Sequence, residues 1–418
     1  MNMIVKRSLA RGAVSLLALT LGTGVAMAAC AIEGAGSVRI LSNDFEALHA
    51  VNNAAATCAS GTVTVTANAT AEHKNIQGPA LAANPAEYTV AVVANNSIVP
   101  LLNDGLIRPL DDLIAKYGSS LQPNQLIKID GKVMAVAFMG NGQHLFYRKD
   151  ILEKAGLDVP TSYEDLLADA QVIKDKGLME HPLAASDKPG WDLAAEFVNM
   201  YLGTGGEFFA NGTAELAIDN DSGRKVLETM RGMTKFMNPD YLTYDATELS
   251  KVWDAGKVAL MVQWGSLAGA AIDPVKANAD IAKNTGFAAA PTINGGAVPA
   301  AALWWDGFTI AKNISDEDAA ASFQAIVHGI SPETVSANAD KATWLVDGFT
   351  PGPAAVGVIG NAKGGARAYP MQPYMGLLHT ALSAELADFI AGKEEADQAL
   401  ADVKAAYDTA AKEGGFLK

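Results

Sequence analysis

The sequence predicts an α/β fold in which two lobes are joined by strands that cross from one lobe to the other. Over residues 38–94, short apolar strand patterns alternate with helical patterns, as in a parallel sheet with right-handed crossovers. Within residues 131–152, two apolar runs meet at the Gly-rich segment 139–142 without a proper turn. This indicates a chain that leaves one sheet and enters another, although a hairpin with a Gly-containing loop is an alternative.

The first 28 residues have the pattern of a signal peptide. Basic residues at Lys6, Arg7 and Arg11 precede an apolar run over residues 13–25, and small residues follow at 26–28. The apolar run is too short to span a bilayer. We therefore expect an exported, soluble protein of the periplasm, whose residues 29–418 suffice for two domains with substantial cores.

The charge balance is acidic, with 46 Asp+Glu against 31 Lys+Arg and a formal net charge of −15 at pH 7. The predicted signal peptide contains only basic charges, so the exported chain is more acidic still. Such a surface repels nucleic acid and anionic lipid, and we expect neither as a partner.

Two cysteines are present, Cys30 and Cys58. In an exported protein an isolated pair most simply forms a disulfide. The alternative is lipidation of Cys30, because residues 27–30 resemble a bacterial lipobox. Met27 departs from the usual Leu of that motif, and lipidation would leave Cys58 unpaired.

The first lobe begins with predicted strands at 38–41, 62–67 and 88–94, and residues 42–44 are expected to cap a helix over 45–56. Ligands of parallel sheets lie beyond the carboxyl ends of the strands. This rule indicates the segments that follow the first and third strands, with candidate ligand-binding residues Asn43, Asp44, Glu46, Asn95 and Asn96.

Beyond residue 152 the pattern predicts helices from Ser162, after Gly190, and from Asp221 and Ala246. Strands are predicted at 257–264, 286–291 and 303–310. The chain from residue 316 onward is expected to be mostly helical. Residues 347–373 are the exception, because their Gly and Pro content predicts a long loop.

No catalytic motif of nucleophilic, metal-dependent or phosphate-binding enzymes occurs in the sequence. The six histidines are scattered and show no metal-ligand spacing. We therefore expect a protein that is not an enzyme and that has neither a metal nor a cofactor.

Four of the six tryptophans fall near predicted loops, beside Asn, Asp or Gln: Trp191, Trp264, Trp304 and Trp305. Indole rings stack on the C–H faces of sugars while amides and carboxylates pair with the hydroxyls, so this pattern favours a carbohydrate or polyol ligand. Alternatively, any one of these rings could pack at the edge of a hydrophobic core without contacting a ligand. Trp253 and Trp344 are predicted in helices and are expected to be core residues.

Residues 147–157 (YRKDILEKAGL) and 159–167 (VPTSYEDLL) resemble the signature of family 1 extracellular solute-binding proteins of ATP-binding-cassette (ABC) importers. Residues 105–113 and 253–261 resemble two further segments of that family. The resemblance implies a two-lobed periplasmic binding protein fold, in which each lobe is a mainly parallel sheet flanked by helices and hinge crossings join the lobes. The ligand is expected in the cleft between them. The resemblance predicts one lobe from residues 29–141 and 306–345 and the other from residues 142–305 and 346–418.

The resemblance also implies a monomer that delivers its ligand to an ABC permease in the inner membrane. Family membership leaves a sulfonated or phosphorylated sugar or a polyamine open as ligands, and a secreted glycoside hydrolase is a more distant alternative. Further cleft residues are expected from the crossing strands and from the second lobe: Asn141, Asp187, Trp191, Trp264, Ser266, Trp304, Trp305, Asp306, Tyr369 and Tyr374.

Overall fold

The computed structural model describes residues 30–418, and the predicted signal peptide lies outside the described residues. Within them, no helix has the length and apolar character needed to cross a membrane. The strands are β1 (Gly36–Ser42), β2 (Val63–Ala69), β3 (Val90–Ala94), β4 (Leu126–Ile129), β5 (Lys132–Asn141), β6 (Gln143–Arg148), β7 (Leu183–Ala184), β8 (Leu260–Trp264), β9 (Thr285–Ala288), β10 (Ala302–Ile310), β11 (Thr343–Trp344) and β12 (Arg367–Ala368).

Helices flank both faces of these sheets, and most connections between elements are short. The helices are α1 (Glu46–Ala56), α2 (His73–Ala82), α3 (Ile98–Asn103), α4 (Asp111–Tyr117), α5 (Lys149–Ala155), α6 (Tyr163–Asp175), α7 (Trp191–Gly203), α8 (Asp221–Thr234), α9 (Ala246–Asp254), α10 (Ala268–Ile272), α11 (Ala279–Asn284), α12 (Asp316–Gly329), α13 (Pro332–Ala337), α14 (Val356–Lys363), α15 (Met375–Ile390) and α16 (Ala396–Glu413).

The first sheet has the strand order β11-β5-β10-β3-β1-β2, with β4 beside β5 and β12 beside β10. β1 pairs in parallel with both β2 and β3, as predicted, because α1 and α2 carry the chain back to the same edge of the sheet. β10 enters antiparallel between β3 and β5. The α/β class predicted from the alternating pattern is confirmed.

The second sheet has the order β7-β8-β6-β9 and is mixed rather than mainly parallel. β7 runs parallel to β8, whereas β6 runs antiparallel to both β8 and β9. The reason is that β6 begins at the crossing from the first sheet, whereas β8 ends beside it. The two strands therefore run in opposite directions.

The joint at 139–142 connects the two sheets. β5 ends at Asn141 in the first sheet and β6 begins at Gln143 in the second, and β5 and β6 are not paired with each other. The hairpin alternative is therefore wrong. β10 and β11 run beside β5 at the same level, where Trp304 faces Asn141 and Thr343 faces Gly140. Three strands thus lie side by side at the crossing.

Two regions differ from the sequence prediction in their local structure. Residues 347–373 contain α14, whose glycines allow close packing: a Cβ on Gly357 would lie 2.1 Å from the His144 ring. Glycines that predicted a loop thus lie in a helix, where the lack of a side chain lets the helix pack closely against its neighbours. Trp344 is buried as predicted but lies in β11 rather than in a helix.

The predicted cap of α1 is also wrong. The residue that precedes the helix is Phe45, and no side chain caps the first turn. The side-chain oxygen of Asn43 instead accepts a hydrogen bond of 2.8 Å from the backbone N–H of Asp44. This short turn leads from β1 into α1 without using the helix N–H groups.

The predicted disulfide is present between Cys30 and Cys58, whose Cα atoms are 4.8 Å apart. The two residues precede β1 and β2, which are parallel neighbours, so both lie at the same edge of the sheet. A lipid on Cys30 would use the same sulfur atom, so lipidation is incompatible with this bridge.

Candidate ligand-binding cleft

The carboxyl ends of strands from both sheets point towards the crossing. From the first sheet, β1, β2 and β3 are followed by residues 42–46, 70–74 and 95–97. From the second sheet, β7 and β8 are followed by residues 185–191 and 265–267. These segments approach the crossing from both sheets, at the position where parallel α/β sheets place their ligands, and this region is called the cleft below.

Five rings form an aromatic cluster at the second-lobe side of this cleft. Trp191, Trp264 and Trp304 contact one another, with centroid separations of 5.9 Å, 6.0 Å and 5.9 Å. Tyr369 stacks on Trp304 at 4.2 Å, and His379 stacks on Trp191 at 5.0 Å. Trp191 and Trp264 remain partly exposed, so a ligand can reach them from the cleft.

Local hydrogen bonds fix the orientation of these rings. Gly190 has a φ of 116°, a backbone conformation that favours glycine, and it turns the chain so that Trp191 opens α7. His379 Nε2 donates to the Trp191 carbonyl at 3.1 Å, and Tyr369 Oη donates to His379 Nδ1 at 3.2 Å. Burial lowers the pKa of His379 to about 4, so the ring is neutral at pH 7 and can make both bonds.

Three charged groups lie beside the cluster. Lys74, from the start of α2, places its Nζ 4.6 Å from the centroid of the Trp191 ring. Burial lowers the pKa of Lys74, while the charges of Asp306 and Asp192 oppose that shift. Burial raises the pKa of Asp306 to about 7 and that of Asp192 to about 6. The lysine comes from the first lobe and stands over a ring of the second, so it spans the cleft.

A buried network of polar side chains connects α7 to the strands β6 and β10. Gln143 Nε2 donates to Glu196 Oε1 at 2.9 Å, and Asn199 Nδ2 donates to Gln143 Oε1 at 2.7 Å. Asn199 Oδ1 accepts from the backbone N–H of Ala302 at 2.8 Å. Burial, and then the charge of Asp187, raise the pKa of Glu196 to about 8. The network holds α7, and therefore Trp191, in a fixed position relative to β6 and β10.

The structure brings several predicted site residues together. Trp191, Trp264, Trp304 and Tyr369 belong to the aromatic cluster, and Asp306 couples to Lys74 beside it. Asp187 is buried at the end of β7, where burial raises its pKa to about 7. These residues come from both lobes and from the crossing.

Two predicted aromatic residues lie elsewhere. Trp305 packs against the apolar core of the first lobe, because consecutive residues of β10 point to opposite faces. Tyr374 packs edge-on against Phe209 at 4.6 Å and against Phe416, and it donates to the Thr213 carbonyl. Neither ring contacts the aromatic cluster.

The predicted amides at the crossing are engaged by the protein itself. Asn95 accepts from the backbone N–H of Trp305 at 2.9 Å and donates to the Leu303 carbonyl. Asn141 Nδ2 donates to the Ser266 hydroxyl at 3.3 Å, and Asn141 Oδ1 accepts from the Ser266 N–H. These side chains therefore hold the crossing strands and the end of β8 in place.

The acidic residues after β1 have partners within the protein. Asp44 lies 2.6 Å from His49 on the surface. Glu46 pairs across the cleft with Lys276 of the second lobe. Asn96 differs, because its side-chain oxygen is buried without a hydrogen-bond partner within residues 30–418.

Sequence reasoning missed three site residues: Lys74, Asp192 and His379. The signal for Lys74 was present, because residues 70–74 follow β2 as residues 42–46 follow β1. Asp192 follows a predicted site tryptophan directly. His379 lies within a regular amphipathic helix, and nothing in its local sequence distinguishes it from a core residue.

In the part of the chain that the structure describes, one group of side chains has ligand atoms close enough to hold a metal ion: Cys30, Cys58 and His328. The two sulfurs of that group form the disulfide, which leaves a single imidazole as a ligand.

A family model described as "Bacterial extracellular solute-binding protein" matches residues 62–325. A "Probable ABC transporter-binding protein" of Deinococcus radiodurans is 26% identical over 211 residues, which cover 49% of this chain and 48% of that protein. A "Probable sugar-binding periplasmic protein" of Rhizobium meliloti is 29% identical over 145 residues, or 33% of this chain and 34% of that protein. The chain thus matches half or less of the length of these curated relatives.

Solved structures resemble most of this chain in fold. A solute-binding protein of Agrobacterium radiobacter K84, in complex with ribitol, has a TM-score of 0.78 at 19% identity and covers 90% of this chain and 98% of its own. A maltose-bound T. maritima protein has a TM-score of 0.77 at 17% identity and covers 90% of this chain and 100% of its own. At these identities the likeness shows the fold.

Proposed function

Because the chain belongs to the bacterial extracellular solute-binding protein family, we propose that it is the ligand-binding component of an ABC import system. Its ligand is a carbohydrate or polyol that binds in the interlobe cleft. The observation that carries this proposal is the aromatic cluster, whose rings Trp191 and Trp264 are partly exposed beside Lys74 and Asp306. Similar folds with bound ribitol, mannitol and maltose support the choice of ligand class.

The chemistry of the cleft suits a hydroxylated ligand. Indole faces stack on the apolar C–H faces of a sugar, while Asp306 accepts from hydroxyls and Lys74 donates to them. Trp304 Nε1, Asn96 Oδ1 and Ser186 Oγ are buried and have no hydrogen-bond partner within residues 30–418. Because unpaired buried polar groups are costly, ligand hydroxyls that pair with any of them would add affinity.

Ligand binding closes the two lobes, which comprise residues 29–141 with 306–345 and residues 142–305 with 346–418. A ligand can drive closure only if it binds the closed state better than the open state, which requires contacts from both lobes. Lys74 and Asn96 belong to the first lobe, and Trp191 and Trp264 to the second. The three strands at the crossing are then the hinge about which the lobes rotate.

The protein acts in the periplasm as a monomer and passes its ligand to a permease in the inner membrane. Residues 1–28 direct export, and the disulfide suits that oxidising compartment. The protein is not an enzyme, so incubation with oligosaccharides leaves them intact in product analysis. Released sugar would favour the hydrolase alternative instead.

A ligand panel with matched tryptophan variants tests the proposed site. Sugars, polyols and charged analogues are screened by thermal shift, because a tight ligand raises the apparent melting temperature. For the best ligand, Trp191→Ala or Trp264→Ala should cost about 2–4 kcal/mol of binding, by analogy with interface hot spots. Trp305→Ala is the control, since that ring lies outside the aromatic cluster. Normal binding by both cluster variants would place the site elsewhere.

A further inference from the structure

The ammonium group of Lys74 has an unusual environment. Its Nζ stands 4.6 Å from the centroid of Trp191. Within residues 30–418, the carboxylates that act on it, Asp306 and Asp192, do so through their charge and not through a hydrogen bond. Part of the Lys74 side chain is accessible to solvent, whereas its ammonium group is surrounded by protein atoms that lower its pKa. It therefore contacts the partly exposed indole that a ligand would also use.

Without this lysine the cleft would resemble a site for cations. Aromatic rings attract ammonium groups through their negative faces, and clusters of such rings bind quaternary ammonium ligands. The cluster offers three indoles, and the carboxylates of Asp192 and Asp306 lie close enough to influence the charge of Lys74. The ammonium group of Lys74 therefore occupies a position at which the surrounding rings and carboxylates could otherwise bind the ammonium group of a ligand.

We propose that Lys74 is the specificity-determining residue of the cleft and excludes ligands that carry a positive charge. An incoming cation would meet a like charge at the face of Trp191, and like charges at short range repel. A neutral polyol or sugar instead gains a donor from Lys74 and an acceptor from Asp306. This inference rests on one part of the proposed function, namely that the ligand binds in this cleft. If it holds, polyamines are excluded as ligands.

The test uses tetramethylammonium as the probe, titrated by tryptophan fluorescence and calorimetry against sodium at equal ionic strength. In Lys74→Met the affinity for tetramethylammonium should rise at least tenfold over the wild type. Lys74 lowers the pKa of Asp306, so this pKa rises in the Lys74 variants. The titration is run at pH 8.5 so that the Asp306 carboxyl is ionised despite that rise. Adding Trp191→Leu to this variant should abolish the gain.

A matched control is available on the surface of the first lobe, where Lys116 Nζ lies 4.8 Å from the centroid of Tyr117. Lys116→Met removes a contact of the same kind and should leave tetramethylammonium binding unchanged. Lys74→Gln provides a second variant if the methionine variant fails to fold. The proposal is overturned if the wild type binds tetramethylammonium as tightly as a folded Lys74 variant. A wild type that binds no sugar or polyol would contradict the proposed function while leaving the tetramethylammonium result valid.

Discussion

The buried carboxyl of Glu196 should make the stability of the protein fall with rising pH. The side chain is 1% exposed and accepts a hydrogen bond from Gln143, so burial is the main cause that raises its pKa to about 8. In the unfolded chain the pKa returns to about 4.5. Between these two values the folded state holds a proton that the unfolded state has lost.

The size of the effect follows from this difference in bound protons. Because the folded state binds one more proton, the free energy of unfolding falls by about 1.4 kcal/mol per pH unit. The stability that this group confers is fully present below about pH 4.5 and is lost as the pH rises towards 8. Between pH 5 and pH 8 the loss from Glu196 alone amounts to roughly 4 kcal/mol.

Glu196→Gln isolates this contribution, because glutamine has the shape of the neutral acid and keeps an acceptor for Gln143 Nε2. Urea unfolding of both proteins at pH 5, 6.5 and 8 gives the difference in unfolding free energy. The variant should gain stability relative to the wild type as the pH rises. Glu228→Gln, at an exposed position of α8, is the control and should show a constant difference. A constant difference for Glu196→Gln as well would refute the reasoning.

The remaining predictions concern the crossing, the cleft entrance and the disulfide. Replacing Cys30 and Cys58 by serine opens a loop with a sequence separation of 28 and should cost roughly 3–4 kcal/mol in urea unfolding. Gly307→Ala should cost about 1–3 kcal/mol in the same assay, because its Cβ would lie 2.6 Å from a carbonyl oxygen of β5. Removing the cross-cleft pair of Glu46 with Lys276→Gln should change stability by less than about 1 kcal/mol. The same variant should enlarge the radius of gyration of the unliganded protein in small-angle scattering, and an unchanged radius would show that the pair does not hold the lobes together.

Much of the fold could be predicted because its signals are local. The two apolar runs that meet at segment 139–142 indicated a change of sheet, and the absence of pairing between β5 and β6 excludes the hairpin alternative. The two cysteines are an isolated pair in a chain expected to be exported, which predicted the disulfide, and the parallel pairing of β1 with β2 brings both to the same edge of the sheet. The site tryptophans were identified because they lie at strand and helix ends.

Which of the candidate residues face the cleft depends on contacts between segments that are distant in the sequence, and the sequence alone does not reveal those contacts. Trp304 joins the aromatic cluster and Trp305 does not, because the register of β10 between β3 and β5 decides which ring faces the cleft. Asn95 and Asn141 were expected to face a ligand, yet their hydrogen-bond partners include Trp305 and Ser266, which lie more than 100 positions away in the sequence. Lys74 was missed because the rule of strand ends was applied to the first and third strands and not to the second.

The central claim is that a carbohydrate or polyol binds at the aromatic cluster and is enclosed by both lobes. Hydrogen–deuterium exchange with mass spectrometry, with and without the best ligand of the panel, tests it directly. Ligand should slow exchange in strand-end segments of the first lobe, residues 70–74 and 95–97, and of the second, residues 187–191 and 264–266. Protection confined to one lobe, or centred on the distant surface around residues 207–217, would contradict the account.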